Sequence, residues 1–170
     1  MHDTSVKTYC LYCEPGQDRK VAAFLNKLGF VSLSPLQVKR YFNHGKKLVR
    51  KIPLLPRYVF FDDGSEDGPD WNKIHAIPGV QHILQYGDGM RALRDGDLLF
   101  VRWMKSINGL LEVSQVIQVG TKIRVIGGPL AHYEGQILEV KKHRQMVAVE
   151  ISTEGHIAKI WCPVEYIQTI

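Results

Sequence analysis

The sequence predicts an α+β chain in two parts: a first half of alternating strands and helices, then a small β-barrel. Three observations carry this expectation. Over residues 6–106 the apolar pattern switches between a two-residue period and a three- to four-residue period. After Gly120 only short β-branched runs separated by turn residues remain, with no helical period. Between the two, residues 107–118 read as a connection, which divides the chain into residues 1–106, a linker at 107–118, and residues 119–170.

The elements follow in order. Val6 to Cys13 is rich in β-branched and aromatic residues, which suit a pleated surface, and reads as a strand. Pro15 and Gly16 break it. From Gln17 a helix is expected, with Val21, Phe24, Leu25 and Leu28 on one face and Gly29 as its stop. "FVSLSPLQVKRYF" reads as extended chain around Pro35, "NHG" as a turn tip, and "PLLPRYVFFDD" as the strongest strand. "WNKIHAIPGV" suggests a short helix ending before Pro78, and "QHILQYGDG" a strand and turn. Asp95 is a candidate cap for a helix to about Ser106, with Leu98, Leu99, Val101 and Met104 apolar. Five strands are expected beyond Gly120: "KIRVI", "GQILEV", "MVAVEI", "HIAKIW" and "VEYIQTI".

Composition narrows the class. The chain has 170 residues, 45% hydrophobic and 23% charged, so it can bury a core. A net charge of +5 allows a nucleic-acid partner without demanding one. No apolar run approaches the ~20 residues of a membrane span. The N-terminus lacks a basic region followed by an apolar stretch, so no signal peptide is expected. Three cysteines without a spaced framework suit a reducing compartment. The expectation is a soluble, monomeric, cytoplasmic protein with no cofactor.

Cys10 and Cys13 form a C-x-x-C pair that raises metal and redox chemistry. On a strand, positions three apart point to opposite faces and their Cα atoms lie about 10 Å apart. A disulfide tolerates less than about 7 Å. A zinc site needs further ligands, and Cys162 is the only other cysteine. Both cysteines are therefore expected to be small apolar strand residues, and a thiol oxidoreductase is the less favoured reading.

Two basic clusters stand out. Lys39, Arg40, Lys46, Lys47, Arg50, Lys51 and Arg57 run without an acidic residue between them, interleaved with Tyr41, Phe42 and His44. Such a stretch either follows phosphates and stacks on bases or keeps a hairpin edge soluble. The second cluster, Lys141, Lys142, His143 and Arg144, stands in a half otherwise balanced in charge. Lys122, Arg124, His132 and Tyr133 are candidate neighbours if the barrel folds them beside it. RNA contact and an ordinary basic turn are the two readings there.

"TYCLYCEPGQDRKVAAFLNK", "PLLPRYVFFD" and "IPGVQHILQYGD" resemble, in order and spacing, the N-terminal domain of the NusG family. "VGTKIRVIGGPLAHYEGQILEV" resembles its KOW motif, marked by Gly120, Gly128-Pro129 and Gly135. The resemblance implies an α/β sandwich domain followed by a KOW domain, an SH3-like β-barrel. Where the housekeeping factor has an aromatic-Pro-Gly-Tyr motif, this chain has Leu55-Pro56-Arg57-Tyr58. That departure, with "LYC" and "GQ", is similar to the specialised paralogues RfaH and LoaP. The resemblance implies a non-enzymatic transcription elongation and antitermination factor. Its first domain would bind the clamp helices of RNA polymerase through Tyr12, Leu55, Pro56 and Tyr58. Asp70-Trp71-Asn72 aligns with the gate-loop contact of RfaH, although Trp71 also suits the apolar face of a short helix. The KOW domain would recruit a leader RNA hairpin, a ribosomal protein or a termination factor. The β-branched texture after Gly120 argues for a permanently β second half. A general elongation factor and a ribosome-associated protein are the remaining alternatives.

Overall fold

The computed structural model describes residues 6–133, 137–150 and 159–167. Strand β1 (Lys7–Cys13) leads into α1 (Asp18–Lys27), then β2 (Val31–Leu33), β3 (Leu36–Asn43), β4 (Lys46–Pro53) and β5 (Tyr58–Asp63). Next come α2 (Trp71–His75), β6 (Val80–Ile83), α3 (Asp95–Ser106), β7 (Leu110–Leu111) and β8 (Ser114–Val119). β9 (Lys122–Gly127), β10 (Ile137–Lys141), β11 (Met146–Glu150) and β12 (Lys159–Tyr166) complete the described elements apart from two single-turn helices.

The first sheet has the order β2-β5-β1-β6, with β1 antiparallel to β5. Strand alternation divides its side chains between two cores. Tyr9, Leu11, Cys13, Val59 and Phe61 pack with Val21 and Leu25 of α1 and with Ile74 of α2. Cys10 and Phe60 join Phe100, Val101 and Met104 of α3 in a second core. The sheet is thus sandwiched between helices, as the α+β expectation requires. Phe24 of α1 and Leu28 at its C-cap are 41% and 44% exposed, so the buried stripe is narrower than the four-residue face the period suggested. α3 begins at Asp95, yet Arg94 takes the cap position and no side-chain cap bond forms. Leu99 is exposed, while Phe100 and Trp103 carry the burial.

The basic stretch is a long hairpin, β3 with β4, closed by His44 and Gly45 at φ of 48° and 77°. Two consecutive positive φ values are the tight hairpin turn whose twist suits the strands. β7 adds to β3 in parallel.

The second half is a five-stranded sheet in the order β10-β11-β12-β8-β9. Two details differ from the sequence expectation. The described parts of "HIAKIW" and "VEYIQTI" share one strand, Lys159–Tyr166, that runs through Pro163, because the next amide, Val164 N, still finds Gln145 O at 2.9 Å. The fifth strand of the sheet is instead β8, from the stretch read as a connection, and β7 lies there too. The start of "GQILEV", with Gly135, and that of "HIAKIW" fall outside the described residues.

The barrel rests on α3. The Trp103 indole N–H donates to Pro129 O at 3.1 Å, and its ring lies 4.4 Å from that of Tyr133. The second core is therefore continuous from the first sheet through α3 into the barrel, where it takes in Val116, Leu130, Val147 and Val164. The turn at Pro129 crosses β8 closely. A Cβ on Gly128, at φ 83°, would lie 2.6 Å from Ser114 Cα, and Leu130 N donates to Ser114 Oγ at 3.0 Å.

Two stability outcomes follow. Gly128→Ala meets both the clash and the left-handed backbone, and is expected to cost at least about 1–3 kcal/mol in urea unfolding. Trp103→Ala removes a large buried ring and is expected to cost about 3–5 kcal/mol. Near-wild-type unfolding midpoints for both variants would contradict this packing.

Candidate functional site

At one end of the first sheet, Tyr12 and Tyr58 are cross-strand partners with ring centroids 5.2 Å apart. His82 of β6 lies 6.3 Å from Tyr12. Both tyrosines are half-buried, as is Leu55, and burial raises the Tyr58 hydroxyl pKa above its ordinary value. Leu55 and Pro56 precede β5 in a turn, where Tyr58 N donates to Leu55 O at 3.2 Å. Tyr12, Leu55, Pro56 and Tyr58 thus come together as one small patch, aromatic and partly in water.

Arg57 is the organiser of this patch. Its φ is 77°, a conformation that costs a non-glycine residue about 1–2 kcal/mol. Its backbone N donates to Asp18 Oδ2 at 2.8 Å, Nε donates to Cys13 O at 2.8 Å, and Nη2 donates to Gln81 Oε1 at 2.6 Å. The guanidinium also covers the Tyr12 ring at 4.2 Å. Net hydrogen bonds of ~1 kcal/mol each and a cation–π contact of ~0.5–1 kcal/mol offset the strain. Arg57 is therefore committed to the patch and does not continue the basic run. The sequence signal was available, since this is the glycine position of the family motif.

Trp71 and Asn72 lie elsewhere. Trp71 packs edge-on to Tyr9 at 4.9 Å, on the sheet face opposite Tyr12 and Tyr58, with Arg91 over it at 4.6 Å. Asp70 caps α2 by accepting from the amides of Asn72 and Lys73. The structure does not bring this pair to the tyrosine patch.

Cys10 and Cys13 are both buried, one in each core. Burial pushes the Cys13 thiol up to about 12, with Asp18 adding and Arg57 opposing. Burial likewise raises Cys10, and Cys162. Thiols held protonated on opposite faces of a paired strand are poor nucleophiles and cannot join without dismantling β1.

The hairpin's basic residues divide by strand alternation. Arg40, Phe42 and Lys47 fall on one face with Lys51, and Arg40 Nη2 donates to Val164 O of the barrel at 2.6 Å. Lys39, Lys46 and Arg50 fall on the other, where Arg50 lies 5.4 Å from the Tyr41 ring centre. In the barrel, Lys142 Nζ donates to Gln118 Oε1 at 2.8 Å, and a small hollow brings Lys122 beside Lys142 and Tyr166. Arg124 and His132 are exposed. Tyr133 is engaged: its hydroxyl donates to Glu150 O, its ring meets Trp103, and burial pushes its pKa up to about 12. Lys141, His143 and Arg144 line an open groove of about 820 Å³ shared with the hairpin.

A family model described as transcription termination factor nusG matches residues 7–102, more than half of the chain. The chain belongs to the NusG family. Two relatives in that family span nearly the same length. The transcription termination/antitermination protein NusG of Thermus thermophilus is 27% identical, over 89% of this chain and 91% of its own. That of Borreliella burgdorferi is 24% identical over 97% and 96%. A solved structure described as domain interaction in Thermotoga maritima NusG is 19% identical, covers 94% of each chain, and has a TM-score of 0.48. Among the described residues no helix is long and apolar enough to cross a membrane.

Two checks apply here. At pH 8 a chromogenic thiol reagent is expected to find no fast-reacting thiol in the native protein and all three after denaturation; a fast native thiol would break the burial argument. Arg57→Gly keeps the backbone bond to Asp18 and sheds strain, so it is expected within about 1 kcal/mol of wild type, whereas Arg57→Ala keeps the strain and loses about 2 kcal/mol. Equal unfolding curves for the two would remove Arg57 from this role.

Proposed function

We propose that this chain is a transcription elongation and antitermination factor that docks on the clamp helices of RNA polymerase through Tyr12, Leu55, Pro56 and Tyr58. NusG-family proteins are non-enzymatic transcription factors that bind RNA polymerase. The observation that carries the docking assignment is the Tyr12–Tyr58 pair. These aromatic rings stay partly in water at the end of a sheet whose interior has ample apolar residues of its own. Such a half-exposed aromatic pair gains from burying the rest of its surface against a partner. A factor that binds the closed clamp more tightly than the open one shifts the population by its differential affinity, and a few kcal/mol suffice. Holding the clamp closed disfavours pausing and terminator-driven release without any covalent step.

The proposed boundary between the polymerase-binding part and the KOW barrel lies within residues 107–118, ahead of Ser114, where β8 of the barrel sheet begins. The barrel is the recruiting part, and a leader RNA is its partner in this reading. Arg57 in the glycine position supports a specialised factor. A second reading, a general factor whose barrel meets a ribosomal protein, is favoured by the name the relatives share, transcription termination/antitermination protein NusG.

Single-round transcription through an intrinsic terminator separates these readings. Readthrough is expected to rise when the template carries the leader of the native operon, and Tyr12→Ala with Tyr58→Ala is expected to abolish the rise. Equal readthrough on every template would favour the general factor. Absence of any effect and of polymerase binding would overturn the proposal.

A further inference from the structure

We propose that the groove between the β3–β4 hairpin and the outer face of β12 binds a single strand of RNA, with both halves of the chain contributing. This deepens the RNA-recruitment part of the proposed function and rests on it. The two basic clusters lie about a hundred residues apart in sequence, as Lys39–Arg57 and Lys141–Arg144, yet the fold places members of both on one groove of about 820 Å³. Arg40 and Lys47 come from the hairpin, and Lys141 and Arg144 from the barrel. Against these cations Glu165 is the single carboxylate among the described residues that line the groove. Cations from two walls facing one channel are the electrostatic complement of a phosphate backbone.

Two aromatic rings decide for a single strand over a duplex. Phe42 lines the groove and is 76% exposed, the most exposed large apolar side chain among the described residues. Trp161 faces the same channel from β12, with Lys141 Nζ at 4.1 Å from its ring centre. Phe42 is exposed and Trp161 half-buried, and rings beside cations are stacking platforms for unpaired bases, which a duplex does not offer. Glu165 favours RNA over DNA. Along a nucleic-acid backbone the ribose 2′-hydroxyl is the hydrogen-bond donor, and a deoxyribose strand brings only repelled phosphate oxygens there. The groove exists only while the barrel sits against the hairpin, a placement fixed by Arg40 Nη2 on Val164 O and by Trp103 on Pro129 O. Bound RNA therefore ties the two halves together.

The test uses the full chain without polymerase and fluorescein-labelled, unstructured 12-nucleotide strands of one mixed sequence, as RNA and as DNA, read by anisotropy. The RNA is expected to bind at low salt, with log K against log salt falling at a slope of about −3 for four phosphate contacts. Lys47→Gln and Arg144→Gln, one from each wall, are each expected to flatten the slope by about 0.7. Phe42→Ala lies on an exposed strand position that folding does not need. It is expected to weaken binding about tenfold with the slope unchanged. Lys20→Gln on α1 is the silent control. If Lys142→Gln weakens binding while the two hairpin variants do not, RNA meets the barrel alone; the groove is then wrong and the recruitment reading stands. If no strand binds at low salt, both fail. Equal binding of the DNA strand overturns the assignment to RNA.

Discussion

The burial of α3 on two sides is the constraint on which the rest depends. One side of this helix closes the first sheet through Phe100 and Met104, and Trp103 reaches the barrel. A helix used this way cannot shift without opening both contacts, because interiors are packed to near-crystalline density. The Trp103 ring on Tyr133 and the indole bond to Pro129 O turn two modules into one continuous core. Only in that arrangement do Arg40 and Val164, distant in sequence, become neighbours.

Strand alternation then distributes function. The same two-residue period that separates Cys10 from Cys13 puts Tyr12 and Tyr58 together at one end of the sheet and Trp71 behind it. On the hairpin it sorts a continuous basic run into two faces, one carrying Arg40, which bonds to the barrel, and one carrying Arg50, which lies over Tyr41. Charge that looks like a single patch in sequence therefore serves two different surroundings. Arg57 leaves the run altogether, because its left-handed backbone and its bonds to Cys13 and Gln81 hold it over Tyr12.

Local signals in the sequence were legible and long-range ones were not. The first strand, the α1 face through Val21 and Leu25, the cysteine geometry and the β character of the second half all follow from period and turn chemistry. Phe24 and Leu28 share the helical period but lie at the edge of the buried stripe and stay partly in water. β8 was hidden although β9 follows it across the turn at Gly120 and Thr121: its other partner, β12, lies far along the chain, and pairing is not written in a strand's own residues. The roles of Trp103 and Tyr133 were hidden for the same reason: each meets a partner from the other half. For the site, the sequence named most members of the tyrosine patch and both basic clusters, but not the groove they share.

The most direct test of this account is the rigidity of the barrel on α3. Spin labels at Lys46→Cys on the hairpin and Glu139→Cys on the barrel report the distance between the two halves, since the native thiols are buried. One narrow distance distribution is expected in the free protein, and a broad one in Trp103→Ala. A broad distribution in the otherwise unaltered chain would contradict the continuous core and the shared groove built on it.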